Sequence, residues 1–282
     1  KLAEPDYVVI TNIGEAHMQD LGSREGIAKA KFEIIDGLKN DGVLFYDGDE
    51  PLLKPFVAKA NALKTVAFGY ESTNDLHLEM VNTTDQGSEF TVAGLIEASF
   101  SIPVYGGHQV KNTLAAIGLA QKLGLSHEQI RQALKTAVLT DMRMQPIIGN
   151  NQALFINDAY NANPDSMRAS LDTISHMDCS GRRVAVLGDM GELGDNEYQL
   201  HIDVGTYAAS STLDMLVCVG TLAVGIKSGA LAADMDVDKI KSFATVEEAQ
   251  EFLAKYLQSG DLLLVKASRF MEMERIVKGV VD

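Results

Sequence analysis

The sequence predicts an α/β protein in two parts, and three observations predict it. From Leu154 onward, short apolar runs alternate strictly with segments of helical period, the pattern of a parallel sheet with helices on both faces. Between Leu76 and Val104 the apolar period drops to about two. There Leu76, Leu78 and Met80, then Phe90, Val92, Ile96, Ala98, Phe100 and Ile102, follow with no helix between them, as in a small antiparallel sheet. The polar, Pro-ended stretch Asp141–Pro146 separates the two patterns and places a boundary at 144/145. The expected architecture is a mixed sheet with a small antiparallel sheet over residues 1–144, then a Rossmann-like α/β domain over 145–282.

Taken in order, Tyr7–Ile10 is a short buried strand that ends in a polar loop over 11–22. Ser23 caps a helix through about Leu38, with Ile27, Ala30, Ile34, Ile35 and Leu38 on its apolar side. Val43–Tyr46 is a strand closed by the turn Asp47-Gly48-Asp49; Pro51–Ala62 reads as a helix and Thr65–Phe68 as another strand. After the antiparallel stretch come an apolar helix over Thr113–Leu123 and a second over 127–138, capped by Ser126. In the second part, strands at 153–157, 183–188, 214–219, 240–243 and 261–266 lead to helices at 164–176, 196–210, 222–232 and 246–257 and a final helix. Residue 1 is Lys rather than Met, and residues 6–11 already read as a core strand. The chain is therefore expected to be a fragment whose upstream part is missing.

Composition narrows the function classes. Twenty-four basic against 39 acidic residues give 24 − 39 = −15, which argues against a surface that coats nucleic acid. Hydrophobic content of 46% with 22% charged residues is that of an ordinary soluble protein, and no apolar run reaches membrane-spanning length. Cys179 and Cys218 form no metal-type spacing and fit a reducing, cytoplasmic setting. No secretory segment opens the chain.

The chemistry gathers at predicted strand ends, where open α/β sheets bind ligands. Asn157–Met167 is the richest: Asn163 caps a helix, Pro164 takes its first position and Asp165 its first turn. Capping accounts for Asn163 and Asp165 but not for Asp158, Tyr160 and Asn161 together. Gly188–Gly194, with Asp189 and Glu192, and Lys266–Arg269, with Ser268, would face the same edge. Arg143, between the two parts, suits either a salt bridge or a phosphate, whose oxygens its planar fork matches. His17 suits either a loop imidazole bonded to a carbonyl or a metal ligand, with Glu15 and Asp20 nearby. Lys31 reads as helix surface, or as an amine that gives an oxygen-ligating carbamate with CO₂. Gly107 opens an approach for backbone, and Asn112 offers both the donor and the acceptor that adenine requires. Gly220–Ser228 nearly spells a phosphate loop, but Ile226 separates the Gly from the Lys that the motif needs adjacent.

Thr11–His17 with Gly22–Lys31, Gly107-His108 with Asn112, Arg143-Met144, Asp158–Ser166, Leu187–Gly194 and Val265–Arg269 together resemble the Mur ligases, the ATP-dependent amide ligases of peptidoglycan synthesis. The resemblance runs over essentially all of the chain, nearest the branch that joins D-alanyl-D-alanine to a UDP-N-acetylmuramoyl-tripeptide. It departs at Gln109, where Asn is commoner, and at Ala267, where Gly is usual. It implies a truncated central ATPase domain followed by the family's C-terminal domain. It further implies ATP and Mg²⁺ as cofactors, both substrates as partners, and a monomer. His17 and carbamylated Lys31 would then be catalytic metal ligands, and Arg143 the catalytic phosphate clamp. Asn112, Arg143, Asp158 and Asn161 would bind ATP; Tyr160, Asn163, Asp189, Glu192, Lys266, Ser268 and Arg269 would face the substrates. The family's phosphate loop would precede residue 1, so the fragment is expected to be inactive alone. Two rivals remain: a folylpolyglutamate-synthetase-like ligase, and a non-catalytic nucleotide-binding or interaction module.

Overall fold

The computed structural model describes residues 3–14, 21–60, 62–84, 87–138 and 140–281. It divides into two compact units, Lys1–Val138 and Leu139–Asp282.

In the first unit six strands lie in chain order: β1 (Tyr7–Ile10), β2 (Val43–Asp47), β3 (Lys64–Gly69), β4 (Leu76–Thr84), β5 (Gly87–Gly94) and β6 (Ala98–Ile102). Pairings from β1 to β4 are parallel; β4–β5–β6 is an antiparallel meander, which produces the period-two pattern. Helix α1 (Arg24–Phe32) buries Ile27, Ala28 and Phe32 with Val8, Ile10, Leu44 and Leu53. The predicted helix to Leu38 instead tightens into a 3₁₀ turn over Glu33–Gly37, because Ile34-Ile35 and then Asp36-Gly37 are poor α-helix formers. A short α2 (Lys54–Lys59) replaces the longer helix expected over 51–62. Helix α3 (Gly107–Lys122) starts earlier than its apolar run, immediately after Gly106 at φ 99°. Gly118 lets α3 press onto the sheet: a Cβ there would meet Leu76 Cδ1 at 2.6 Å and Phe45 Cε1 at 3.0 Å. Ser126 opens α4 (His127–Lys135) with a capping box to Gln129.

The second unit has the order β11-β10-β9-β12-β8-β7. Its strands are β7 (Gln145–Ile148), β8 (Leu154–Asn157), β9 (Arg183–Gly188), β10 (Met215–Val219), β11 (Ile240–Phe243) and β12 (Leu262–Lys266). All pairs are parallel except β7–β8. Residues 145–148, expected to be part of a connection, thus form an antiparallel edge strand, where Pro146 is tolerated because no neighbour needs its missing N–H. Helices α5 (Pro164–His176), α6 (Glu197–Ser210) and α7 (Ala223–Ala232) pack side by side in sequence. Helices α8 (Val246–Tyr256) and α9 (Glu274–Val281) pack together over Phe155, Val184, Val186, Val217, Leu263 and Val265. The chain therefore leaves β12 toward one helix layer and its neighbours β8 and β9 toward the other. That reversal is the switch point at which open sheets form a crevice.

Candidate functional site at the carboxyl edge of the second sheet

Loops after β8, β9 and β12 meet at that switch point, and side chains tie them together. Asp158 continues the ladder past β8, its N–H donating to Val265 O at 2.9 Å. Its Oδ1 accepts from Met144 N at 3.0 Å; its Oδ2 accepts from Ser170 Oγ at 2.7 Å and from Lys266 Nζ at 2.6 Å. Lys266 also donates to Asn161 O at 3.1 Å, and only 3% of its side chain is exposed. Ser268 joins all three loops: its Oγ accepts from Gly191 N at 2.9 Å and donates to Ala162 O at 3.3 Å, while its N–H donates to Asp189 O at 3.0 Å.

Asp189 is buried, and its carboxylate accepts from Thr221 N at 3.1 Å and Ala223 N at 2.7 Å. The turn that nearly spelled a phosphate loop thus has its amides filled by a carboxylate, at the positive end of α7. Asn163 forms a capping box with Ser166, accepting from Ser166 N at 2.8 Å. Asn161 is exposed, its Oδ1 accepting from Ala162 N at 2.8 Å. Arg143 and Tyr160 are exposed together, the guanidinium carbon 4.2 Å from the ring centroid. Glu192, at φ 62°, and Arg269 are also exposed, and Arg269 pairs with Glu274 at 2.8 Å. The predicted residues of this edge are therefore brought together in two sets. Arg143, Tyr160, Asn161, Glu192 and Arg269 face outward; Asp158, Asn163, Asp189, Lys266 and Ser268 hold the frame.

His201 is a member that sequence reasoning missed. Fully buried on α6, it accepts from Met190 N through Nε2 at 2.9 Å, which leaves the ring proton on Nδ1, 2.6 Å from Glu197 O. No local motif announces it, because its partners lie in the loop after β9 and a turn earlier on its own helix.

In the first unit His17 lies outside the described residues, as do Glu15 and Asp20. Lys31 Nζ donates to Asn12 O at 3.0 Å, and desolvation of the ammonium lowers its pKa from the ordinary lysine value although the residue as a whole is exposed. Asn112 is half-buried on α3, and the close approach that Gly107 permits is made by Tyr70: a Cβ on Gly107 would stand 2.8 Å from its hydroxyl. Beside it, and unforeseen, Asp47 at the end of β2 pairs with Lys111 at 2.6 Å. Burial raises the Asp47 carboxyl above its usual range, against the opposing pull of Lys111. Among the described residues no group of three or more His, Cys, Asp or Glu could hold a metal ion. None of their helices is long and apolar enough to cross a membrane.

Fold and site together define an α/β protein whose second unit gathers polar strand ends at a sheet switch point, the place where open sheets of this class form a crevice. Two family models match the chain: the Mur ligase middle domain over residues 1–120, and the Mur ligase glutamate ligase domain over residues 142–269. The chain belongs to the Mur ligase family. It is 42% identical to the UDP-N-acetylmuramoyl-tripeptide--D-alanyl-D-alanine ligase of Bacillus subtilis (strain 168), covering 100% of this chain and 60% of that protein. A crystal structure of MurF from Acinetobacter baumannii is similar with a TM-score of 0.88 and 31% identity, over 99% of this chain and 60% of the other. The MurF ligase of Thermotoga maritima in complex with ADP is similar with a TM-score of 0.86 and 25% identity, over 99% and 62%. The chain thus spans about 60% of the length of the curated relatives it matches.

Proposed function

We propose that this chain supplies the later part of an ATP-dependent ligase that joins D-alanyl-D-alanine to UDP-N-acetylmuramoyl-tripeptide, acting as a cytoplasmic monomer. The tripeptide's terminal carboxylate oxygen attacks the γ-phosphorus of ATP, ADP leaves, and an acyl phosphate remains. The dipeptide's amine then attacks the acyl carbon, phosphate departs with that oxygen, and the nitrogen loses a proton. The observation that carries this reading is Arg143, an exposed guanidinium laid over Tyr160 beside three tied strand-end loops. Its planar donors suit the γ-phosphate, and similarity over all of this chain to 60% of the Bacillus subtilis ligase supports the reaction.

In this reading Arg143 clamps phosphate. Asp158, with three donors already on its carboxylate, keeps about one acceptor position for an ATP ribose hydroxyl, and Asn161 stands beside it. Tyr160, Glu192 and Arg269 face the substrates, while Asn163, Asp189, Lys266 and Ser268 act through the frame they hold. Asn112 offers the adenine its amide. His17 and a carbamylated Lys31 would hold Mg²⁺, which neutralises charge that builds on phosphate. The lowered pKa of Lys31 fits carbamylation, since only the neutral amine attacks CO₂.

The test is phosphate release by the complete ligase chain with ATP, tripeptide precursor and D-alanyl-D-alanine. Release that needs both acceptors supports the reading. Release driven instead by glutamate and a folate would favour the folylpolyglutamate-type rival, and ATP binding with no release under any pairing would favour a non-catalytic module.

A further inference from the structure

Arg143 sits in a bend that its own residues do not favour. Met142 at φ 61° and Met144 at φ 49° both occupy the left-handed region, which costs free energy for side chains of this kind and persists only where surroundings impose it. Here the imposition is visible on each side of the arginine. Before it, Met142 O accepts from Tyr160 N at 3.1 Å, and Met142 N donates to Gln145 Oε1 at 3.1 Å. After it, Met144 is 1% exposed and its N–H donates to Asp158 Oδ1 at 3.0 Å. Asp158 is in turn fixed through its other oxygen by Lys266 and Ser170, and Lys266 reaches on to Asn161 O. An ammonium this deeply buried is withdrawn from a ligand at the edge; what it touches is the loop that holds the bend.

We infer that the Lys266–Asp158 pair is the positioning element for Arg143, keeping residues 142–144 in the strained bend that lays the guanidinium over Tyr160. All members of this chain of contacts belong to the second unit, so Arg143 is carried by that unit rather than by the connection before it. Removing Lys266 leaves Asp158 an uncompensated buried carboxylate and frees the Asn161 carbonyl. The acceptor for Met144 N shifts, the bend relaxes to ordinary dihedrals, and the guanidinium leaves the ring. This inference rests on the ligase reading, in which Arg143 meets phosphate.

The experiment is a double-mutant cycle in the complete ligase, comparing wild type, Arg143→Ala, Lys266→Met and the double variant for kcat and for KM of ATP and tripeptide. Loss of a transition-state donor lowers kcat by roughly a hundredfold or more. At saturating ATP, where the Asp158 and Asn161 contacts to the nucleotide do not enter, Lys266→Met is expected to lower kcat at least tenfold, and the double variant to be no worse than Arg143→Ala. Losses that multiply would overturn the inference, because Lys266 would then act independently of Arg143. Lys266→Met strands a buried charge and can fail to fold, so the apolar pair Asp158→Leu/Lys266→Met provides the second arm. Assayed at saturating ATP, because Asp158 itself meets the nucleotide, this pair is expected to stay folded, less stable than wild type by the acceptors lost to Met144 N and Ser170 Oγ. It is expected to show the same non-additive kcat loss with Arg143→Ala. A folded apolar pair with wild-type kcat contradicts the inference. Hydrogen exchange at the Met144 amide reads the bend without catalysis, slow in wild type and fast in either variant; unchanged protection also contradicts it. A wild-type enzyme that releases no phosphate with both substrates fails the ligase reading instead.

Discussion

The carboxylate of Asp189 lies 2.7 Å from the amide of Ala223 and 3.1 Å from that of Thr221, binding the end of β9 to the start of α7. Two strand-end loops are joined by one buried side chain, whose negative charge also meets the positive end of the helix. Asp189→Ala leaves two amides without their acceptor and is expected to cost about 2 kcal/mol. Asp189→Asn keeps an acceptor and should cost less. Urea unfolding of the chain checks this; an unchanged midpoint for Asp189→Ala would show that the turn closes without the carboxylate.

Acid stability should depend on Asp261. This buried residue bonds Arg182 at 2.7 Å and the amides of Arg182 and Gln258 at 2.8 Å each. Burial alone would raise its carboxyl, but the Arg182 side chain and the two amides outweigh that and hold it below the ordinary carboxylate range. A carboxyl depressed on folding adds stability that is full above the unfolded value of about 3.9 and is lost as pH falls through the folded value. Asp261→Asn should therefore destabilise the chain at neutral pH and flatten the acid limb of a stability–pH curve. An acid limb as steep as that of wild type would assign the dependence elsewhere.

The two thiols should separate cleanly. Burial pushes Cys218 on β10 up to about 12, so at pH 8 about one molecule in ten thousand carries the reactive thiolate. Cys179 is half-buried beside Arg182 O and Gly260 O. An aromatic disulfide reagent should titrate Cys179 alone in the native chain and both thiols in urea. Rapid native labelling of Cys218 would mean that β10 opens far more readily than its burial implies.

Helices α6 and α7 touch backbone to backbone. A Cβ on Gly205 would stand 1.9 Å from Ile226 O, and one on Gly229 would stand 2.0 Å from Ile202 O. Either Gly→Ala change forces the helices apart and should cost about 1–3 kcal/mol, although alanine is the better helix former. A thermal melt at or above wild type would contradict so close a contact.

These glycines also mark what the sequence could and could not disclose. The alternation of strands and helices beyond residue 150 was legible because each element carries its own period, and Asn163 and Ser126 cap as their local patterns require. The three strand ends were legible as polar interruptions of apolar runs. Which of their side chains turn inward was not. Lys266, Asp158 and Asp189 were legible as charged strand ends, but only tertiary contacts show that each also has a partner inside the protein. Gly220 and Gly225 looked like half a phosphate loop. Their reasons are an approach to Asp189, at φ 114° for Gly220, and to His201, whose Cβ would lie 3.0 Å from a Cβ on Gly225. Both reasons depend on residues distant in the chain. The Asp47–Lys111 pair, 64 positions apart, was hidden for the same cause.

The most direct test of the ligase reading follows one oxygen. The complete enzyme is given ATP, D-alanyl-D-alanine and tripeptide precursor whose terminal carboxylate carries oxygen-18, and the released phosphate is analysed by mass. An acyl-phosphate route passes one labelled oxygen from carboxylate to phosphate for each amide formed. Phosphate without label, formed alongside labelled product, would contradict the account.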